Sequence, residues 1–361
     1  MADAQPGEGL HTTEDTFCFQ EVQLAFRNRG MPAEGLRLPI TPTGMHYLLN
    51  HWDIPVVDAS TWQLTITGHV ENSIKLDLAA LRRLPAVKIP VTMECAGNGR
   101  AFMKPRPVNQ PWIHDAVSTA EWTGTPLRGV LEKAGLTEDA LEVLFTGADR
   151  GVQSDQDQHY QRSLGIAEAM SDDVMLAYEM NGAPLEPQHG FPLRLIVPGW
   201  YGMTNVKWLN EIEVVSKAFN GVQMMFYRET SGADDAGTAI ETIKVRSLMA
   251  PPGIAVFPSL ERHLDAGPVT LTGRGWAGKN QVSRVEVSTD NGKSWGDATL
   301  DDPMGTYAWR GWNYEWLATP GKHTLISRAT DSQGNVQPLE QVVTFYGVGN
   351  NAIARVKVNV T

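Results

Sequence analysis

Apolar and polar positions alternate over Thr61–Val70 (TWQLTITGHV), the period-two pattern of a strand with one face buried. Asp77–Leu84 predicts a short helix, with Asp77 as N-cap and Pro85 as stop. Ile89–Glu94 (IPVTME) predicts a strand that runs directly into Cys95-Ala96-Gly97-Asn98-Gly99, where the glycines suit a tight loop that turns backbone amides toward a ligand. Pro126–Ala134 and Ser163–Met170 are expected helices, and a short helix is expected near Thr16–Arg27. Leu141–Thr146, Phe191–Val197 (FPLRLIV) and Asn205–Val215 are expected strands. These elements show no regular βαβ rhythm, which predicts an α+β domain rather than a doubly wound sheet.

Thr230–Thr238 (TSGADDAGT) is small and polar, as expected of a linker. Beyond it the pattern changes to short strands at Val269–Gly275, Gln281–Ser288, Thr299–Leu300, Ala308–Trp316, His323–Ala329 and Val342–Tyr346. Turn signals such as Asp290-Asn291-Gly292 lie between them, and the even spacing predicts a β-sandwich. A chain of 361 residues exceeds the usual size of one core, so two domains are expected, over 1–235 and 236–361.

Charge narrows the partners. The formal net charge is −11 and no basic run stands out, which argues against nucleic acid and against an anionic membrane surface. Any anion site must therefore be built locally. Cys18 and Cys95 are the two cysteines, too few for a disulfide framework and without a C-x-x-C pair. No stretch approaches the ~20 apolar residues of a membrane span, and residues 1–10 lack the pattern of a signal peptide. The expected location is cytoplasmic, or periplasmic if a cleaved export signal has been removed.

A lone cysteine in a glycine-rich loop is ordinarily a buried small hydrophobe, a turn residue or an inert thiol. The sharper reading is a thiolate ligand for a soft metal. The context favours the second: Val91–Arg100 (VTMECAGNGR) resembles the molybdenum loop of the sulfite oxidase family. His46–Pro55, Thr119–Leu131 and the long block Leu176–Trp208 (LAYEMNGAPLEPQHGFPLRLIVPGWYGMTNVKW) resemble further family segments in order, as do Asp290–Trp295 and Gly334–Pro338.

The resemblance implies an α+β molybdopterin-binding domain (the sulfite oxidase fold) followed by an all-β immunoglobulin-like dimerisation sandwich. It implies Cys95 as ligand to molybdenum, with Tyr227 and Arg100 beside it at the catalytic centre. Asn50, His51, Asp149, His189, Arg194 and Lys207 match cofactor-lining positions. Arg194 and Lys207 are cations suited to a phosphate tail, and the rest offer donors and acceptors to a pterin ring. Taken singly, each has an ordinary structural reading, such as a hydrogen-bonded histidine or a buried ion pair. The implied activity is oxidation of sulfite to sulfate, with electrons leaving to an external acceptor such as a cytochrome, in a homodimer.

Two positions depart from the pattern. Leu49 and Tyr346 stand where sulfite-oxidising members carry substrate arginines, and Lys104, Arg106 and His159 are the candidates to compensate. A different sulfur or oxo substrate is therefore the alternative, and a noncatalytic partner subunit is a third reading. Trp309 and Trp312–Trp316 (WNYEW) fit a sandwich core or dimer contact better than a binding surface. Cys18 has no partner motif and is expected to be structural. Asp155 and Asp157 lack the twelve-residue spacing of a calcium loop.

Overall fold

The computed structural model describes residues 16–232 and 234–361. The first domain begins with α1 (Phe19–Arg27), at whose start the Cys18 amide donates to the Glu21 carboxylate. β1 (Leu64–Gly68) and β2 (Ile74–Leu76) follow, with Leu64 and Ile66 fully buried on one face, as the alternation requires. In α2 (Leu78–Arg82) the Asp77 carboxylate accepts from the Ala80 amide at 2.6 Å, the predicted cap. β3 (Val87–Glu94) leads into the cysteine loop, and β4 (Val117–Pro126) pairs back along it. In α3 (Leu127–Ala134), Leu127, Val130, Leu131 and Ala134 form one buried stripe at helical spacing.

β5 (Glu142–Gln153) and β6 (Gln156–Gly165) form a long hairpin, followed by the single turn α4 (Ile166–Ala169). The helix expected over Ser163–Met170 is thus only that turn, and its first residues belong to a strand. Pairing with both ends of β5, on either side of a bulge between Thr146 and Arg150, outweighs a local pattern that is only weakly periodic. β7 (Met175–Met180), β8 (Ala183–Pro184), β9 (Arg194–Ile196) and β10 (Leu209–Val215) complete two sheets. One runs β2-β1-β10-β5-β6; in the other β3, β4, β7 and β8 run in order and β9 pairs with β7.

After the turn α5 (Val222–Met225), β11 (Arg228–Glu229) and β12 (Thr238–Ala239) pair with each other. The expected linker is therefore the loop of a hairpin. The Thr230 hydroxyl donates to the carbonyls of Gly232 and Asp235, which holds the loop closed.

The second domain contains β13 (Arg246–Ala250), β14 (Ile254–Ala255), β15 (Arg262–Leu264), β16 (Gly267–Trp276) and β17 (Val282–Ser288). It continues with β18 (Gly296–Asp297), β19 (Thr299–Leu300), β20 (Arg310–Ala318), β21 (Gly321–Asp331) and β22 (Arg355–Val360). The sheets β13-β16-β20-β19 and β14-β15-β22-β21-β17-β18 enclose one core that includes Leu271, Val285, Leu325 and Val358. This is the expected sandwich, and the architecture as a whole is the expected α+β domain plus all-β domain.

Trp312 and Trp316 fill that core. Trp309 is wholly buried in the seam between the domains, where its indole N–H donates to the Pro39 carbonyl at 2.7 Å. Val342–Tyr346, expected as a strand, is instead an irregular loop that packs back onto the first domain. The Phe345 amide donates to the Thr230 carbonyl, and the Thr344 hydroxyl bonds the backbone at Val348, so local side-chain bonds replace a ladder.

Candidate active site

β3 delivers Cys95 to a buried turn at the seam. The Cys95 amide donates to the Ala116 carbonyl, and its own carbonyl accepts from Asn98, each at 2.9 Å. Gly97 leaves room for the Arg100 guanidinium, which folds back over the loop to 2.3 Å from where a Cβ would stand. Gly99 adopts φ +88°, and a Cβ would stand 2.8 Å from Asn350. The second domain braces this turn from below. Glu94 accepts from Asn98 (2.9 Å), from Arg246 (2.7 Å) and from the Trp276 indole (2.7 Å). Arg246 also donates to the Asn350 carbonyl at 3.0 Å, and Asn350 donates to the Gly99 carbonyl at 3.1 Å.

Two connected cavities meet at Cys95. The inner chamber spans about 670 Å³, open solvent included, and is lined by His46, His51, Asp149, Tyr160, Gln188, His189, Arg194, Asn205, Lys207 and Tyr227, among others. The outer funnel holds about 1930 Å³, open water at its mouth included, and is lined by Asn50, Arg100, Trp112, Phe226, Phe345 and Tyr346, among others. Leu49, His51, Cys95 and Tyr227 border both. All nine residues singled out from the sequence therefore converge here, although they come from well-separated parts of the chain.

The inner chamber is furnished for a ligand that is polar and anionic. Arg194 donates to the carbonyls of His189 (3.0 Å) and Asn205 (3.2 Å), with its guanidinium 4.7 Å from the Trp122 ring centre. Lys207 donates to the carbonyls of Leu49 (2.9 Å) and Gln188 (3.1 Å) and to the side chain of Asn50. Neither forms an ion pair with a carboxylate among the described residues. Burial pushes Arg194 down to about 10 and Lys207 well below its usual value, with Asp149 opposing the latter.

Burial likewise lifts the Asp149 carboxyl to about 6 and drops His51 to about 4, His46 to about 3 and His189 to about 2. Four buried atoms of lining residues have no partner in the protein: His46 Nε2, Asp149 Oδ1, His189 Nε2 and Arg194 Nε. Buried polar atoms are rarely left this way, so the set fits a bound group that offers both donors and acceptors together with negative charge. A pterin with a phosphate tail has that chemistry.

At the junction, burial raises the Cys95 thiol, and the nearby Arg100 cation works against that rise. Burial pushes the Tyr227 phenol up to about 12, and its hydroxyl lies 3.1 Å from His51 Nε2. Arg100 is buried, its Nε donating to the Gly347 carbonyl and an Nη to the Gln110 carbonyl. Of the three possible compensating cations, Arg106 does line the funnel, but its guanidinium is paired with buried Glu21 at 2.9 Å. His159 bonds the Asp149 carbonyl and, like Lys104, borders neither cavity.

Sequence reasoning assigned no role to His46, Tyr160 or Arg162. Tyr160 borders the inner chamber, and Arg162 lies 5.6 Å from the Tyr227 ring centre, both carried by β6. With β6 unassigned, nothing placed them near Cys95. Cys18 is a free, half-buried cysteine at the start of α1. Asp157 forms a paired-oxygen salt bridge with Arg150 at 2.7 and 2.6 Å, and no cluster of metal-binding side chains occurs among the described residues.

Fold and site together define a cofactor-binding protein of the molybdopterin class. The family model for the oxidoreductase molybdopterin binding domain matches residues 51–223, and that for the Mo-co oxidoreductase dimerisation domain matches residues 238–361. Mitochondrial sulfite oxidase of Macaca fascicularis is 35% identical over 343 residues, which cover 88% of this chain and 61% of that protein. The NADH nitrate reductase of Solanum lycopersicum is 33% identical over 353 residues, covering 89% of this chain and 38% of that protein. The sulfane dehydrogenase SoxCD from Paracoccus pantotrophus superposes with a TM-score of 0.81 at 26% identity, over 92% of this chain and 86% of that one.

The chain belongs to the sulfite oxidase family of molybdopterin-binding proteins. It spans about three fifths of the length of the mitochondrial relatives, 61% for the macaque protein.

Proposed function

We infer that the protein is a molybdenum oxidoreductase that transfers an oxygen atom at a cysteine-ligated centre and gives up electrons to an external acceptor. One observation carries this reading: the Cys95 thiol stands where a chamber of unpaired cations and orphaned polar atoms meets a funnel open to solvent. When bound, a molybdenum held by a pterin dithiolene supplies two-electron oxygen-atom transfer.

The chain's own residues have distinct tasks. Cys95 contributes a thiolate, a ligand type suited to a soft metal. Arg194 and Lys207 neutralise the phosphate tail, and Asn50, His51, Asp149 and His189 hydrogen-bond the pterin. Arg100 attracts an anionic substrate toward Cys95. Tyr227, hydrogen-bonded to His51, holds a proton at its hydroxyl throughout the neutral range. Burial of Arg194, Asp149 and His189 lowers the local dielectric, which strengthens their electrostatic contacts.

Sulfite, a small anionic sulfur compound, is the first substrate to test. A second reading is favoured by Leu49 and Tyr346, which both border the funnel and bring no charge to it: the substrate carries less charge than sulfite. The electron acceptor is a separate protein such as a cytochrome, and the assembly a homodimer.

The test is sulfite-dependent reduction of ferricyanide by protein of known molybdenum content. Replacement of Cys95→Ser at matched metal content is expected to cost more than the ~100-fold typical of lost outer-shell support. Unchanged turnover in that variant would sink the assignment. A noncatalytic partner subunit would show no turnover in the native protein either.

A further inference from the structure

The outer funnel has a charge balance that restricts what it can hold. Its described lining contains no aspartate or glutamate and two arginines, Arg100 and Arg106. Arg106 is neutralised by Glu21, whose two carboxylate oxygens accept from it at 2.9 and 3.3 Å. Among the described residues of the lining that leaves Arg100 as the cation without a carboxylate partner; it is 4% exposed and bonded to two neutral carbonyls. A buried guanidinium without a counter-ion is costly, and an anion relieves that cost.

The rest of the lining combines neutral polar groups such as Asn50, Gln110 and Gln223 with an apolar and aromatic part: Leu49, Trp112, Phe226, Tyr346 and Val348. Phe226 and Tyr346 meet edge to face with ring centres 5.3 Å apart and make a wall about the size of a ring. The space is far larger than an inorganic oxyanion needs.

We propose that the substrate is an organic sulfinate, R–SO2⁻, with one sulfinate oxygen on Arg100 and the R group against the Phe226–Tyr346 wall. This rests on the oxidoreductase reading above and names the substrate class of the same site. A sulfinate has a single negative charge to match the single cation. It has a lone pair on sulfur to accept oxygen, and an organic group to fill the apolar wall. A dianion leaves one charge unpaired here, and a neutral thioether leaves Arg100 unpaired. The reaction balances as R–SO2⁻ + H2O → R–SO3⁻ + 2 H⁺ + 2 e⁻. One S–O bond forms, both O–H bonds of a water break, sulfur loses two electrons, and two equivalents of a one-electron acceptor take them up.

The experiment compares benzenesulfinate with sulfite in ferricyanide-coupled turnover of the full-length protein, at assayed molybdenum content, with Tyr346→Arg alongside. The expected result is a kcat/KM at least tenfold higher for benzenesulfinate, and a swing toward sulfite when the second cation is added. Binding gives a readout independent of turnover. Because Trp52 and Trp112 line the funnel, benzenesulfonate is expected to quench tryptophan fluorescence where sulfate does not. Metal-loaded protein that prefers sulfite, that leaves sulfinate untouched, or that binds sulfate as well as the sulfonate overturns this proposal and leaves the family reading standing. Protein that takes up no molybdenum, in a host that loads other molybdopterin proteins, overturns the functional reading and this proposal with it.

Discussion

Three histidines face the inner chamber, His46 and His189 buried and His51 half-buried, and each has a folded-state value far below the usual 6.5: about 4 for His51, about 3 for His46 and about 2 for His189. A histidine held neutral in the fold contributes stability that is fully present above pH 6.5. That stability is lost as pH falls toward the folded value, because the unfolded chain takes up the proton first. Each costs about 1.4 kcal/mol per pH unit in that window. Asp149 has the opposite sign. Its value of about 6, against the usual 3.8, makes its contribution fall as pH rises between those limits. It offsets one histidine, and the net slope in the cofactor-free protein is roughly 3 kcal/mol per pH unit between about pH 6 and 4.5. Urea midpoints at pH 7, 6 and 5 measure it, and His189→Gln should flatten the slope by about half. An unchanged slope in that variant would mean that His189 is solvated rather than desolvated.

The turn after β3 is held by a domain it does not belong to. Glu94 and Arg246 form a pair at 2.7 Å with side chains 2% and 0% exposed. Breaking such a pair from one side strands a buried charge, so Arg246→Met and Glu94→Ala should each cost about 3–5 kcal/mol. The double variant should cost clearly less than the sum, because it strands none. Denaturant unfolding of the four proteins closes the cycle, and simple additivity would show that the two side chains act independently. β6 and the loop 342–346 act at the same scale. They supply Tyr160 and Tyr346 to the two cavities, yet neither has a sequence pattern that reveals its conformation. β6 is defined by its long pairing with β5, and the loop by hydrogen bonds to residues 230 and 348.

For the whole molecule, the most exposed apolar feature of the sandwich is the β14–β15 hairpin. There Ile254, Phe257 and Leu260 are 74%, 92% and 63% exposed. Such a cluster suits burial against a second copy, across the ~1,200–2,000 Å² of an ordinary stable interface. Light scattering after size exclusion should find a dimer, and the paired change Ile254→Asp and Phe257→Asp should give a folded monomer. A dimer that survives those charges must use another face. No helix among the described residues is long and apolar enough to cross a membrane, so such a patch has no spanning helix to accompany it.

Local order was legible in the chain because it depends on near neighbours. The strand into Cys95, the Asp77 cap, the amphipathic stripe of α3 and the change of rhythm after residue 238 each come from side chains a few positions apart. So did the roster of site residues, once ordered motifs resembled a family. Convergence could not be read that way. Arg106, a candidate pocket cation in the sequence, is paired with Glu21 in the fold, and Arg246, which no motif singles out, pairs with Glu94. Leu49 and Tyr346 were departures from a pattern until they bordered one funnel. A group's charge state and job depend on what lies within a few ångströms of it. In this protein those neighbours are often more than a hundred residues away along the chain, so the tertiary structure alone decided which cations remain unpaired and which space they face.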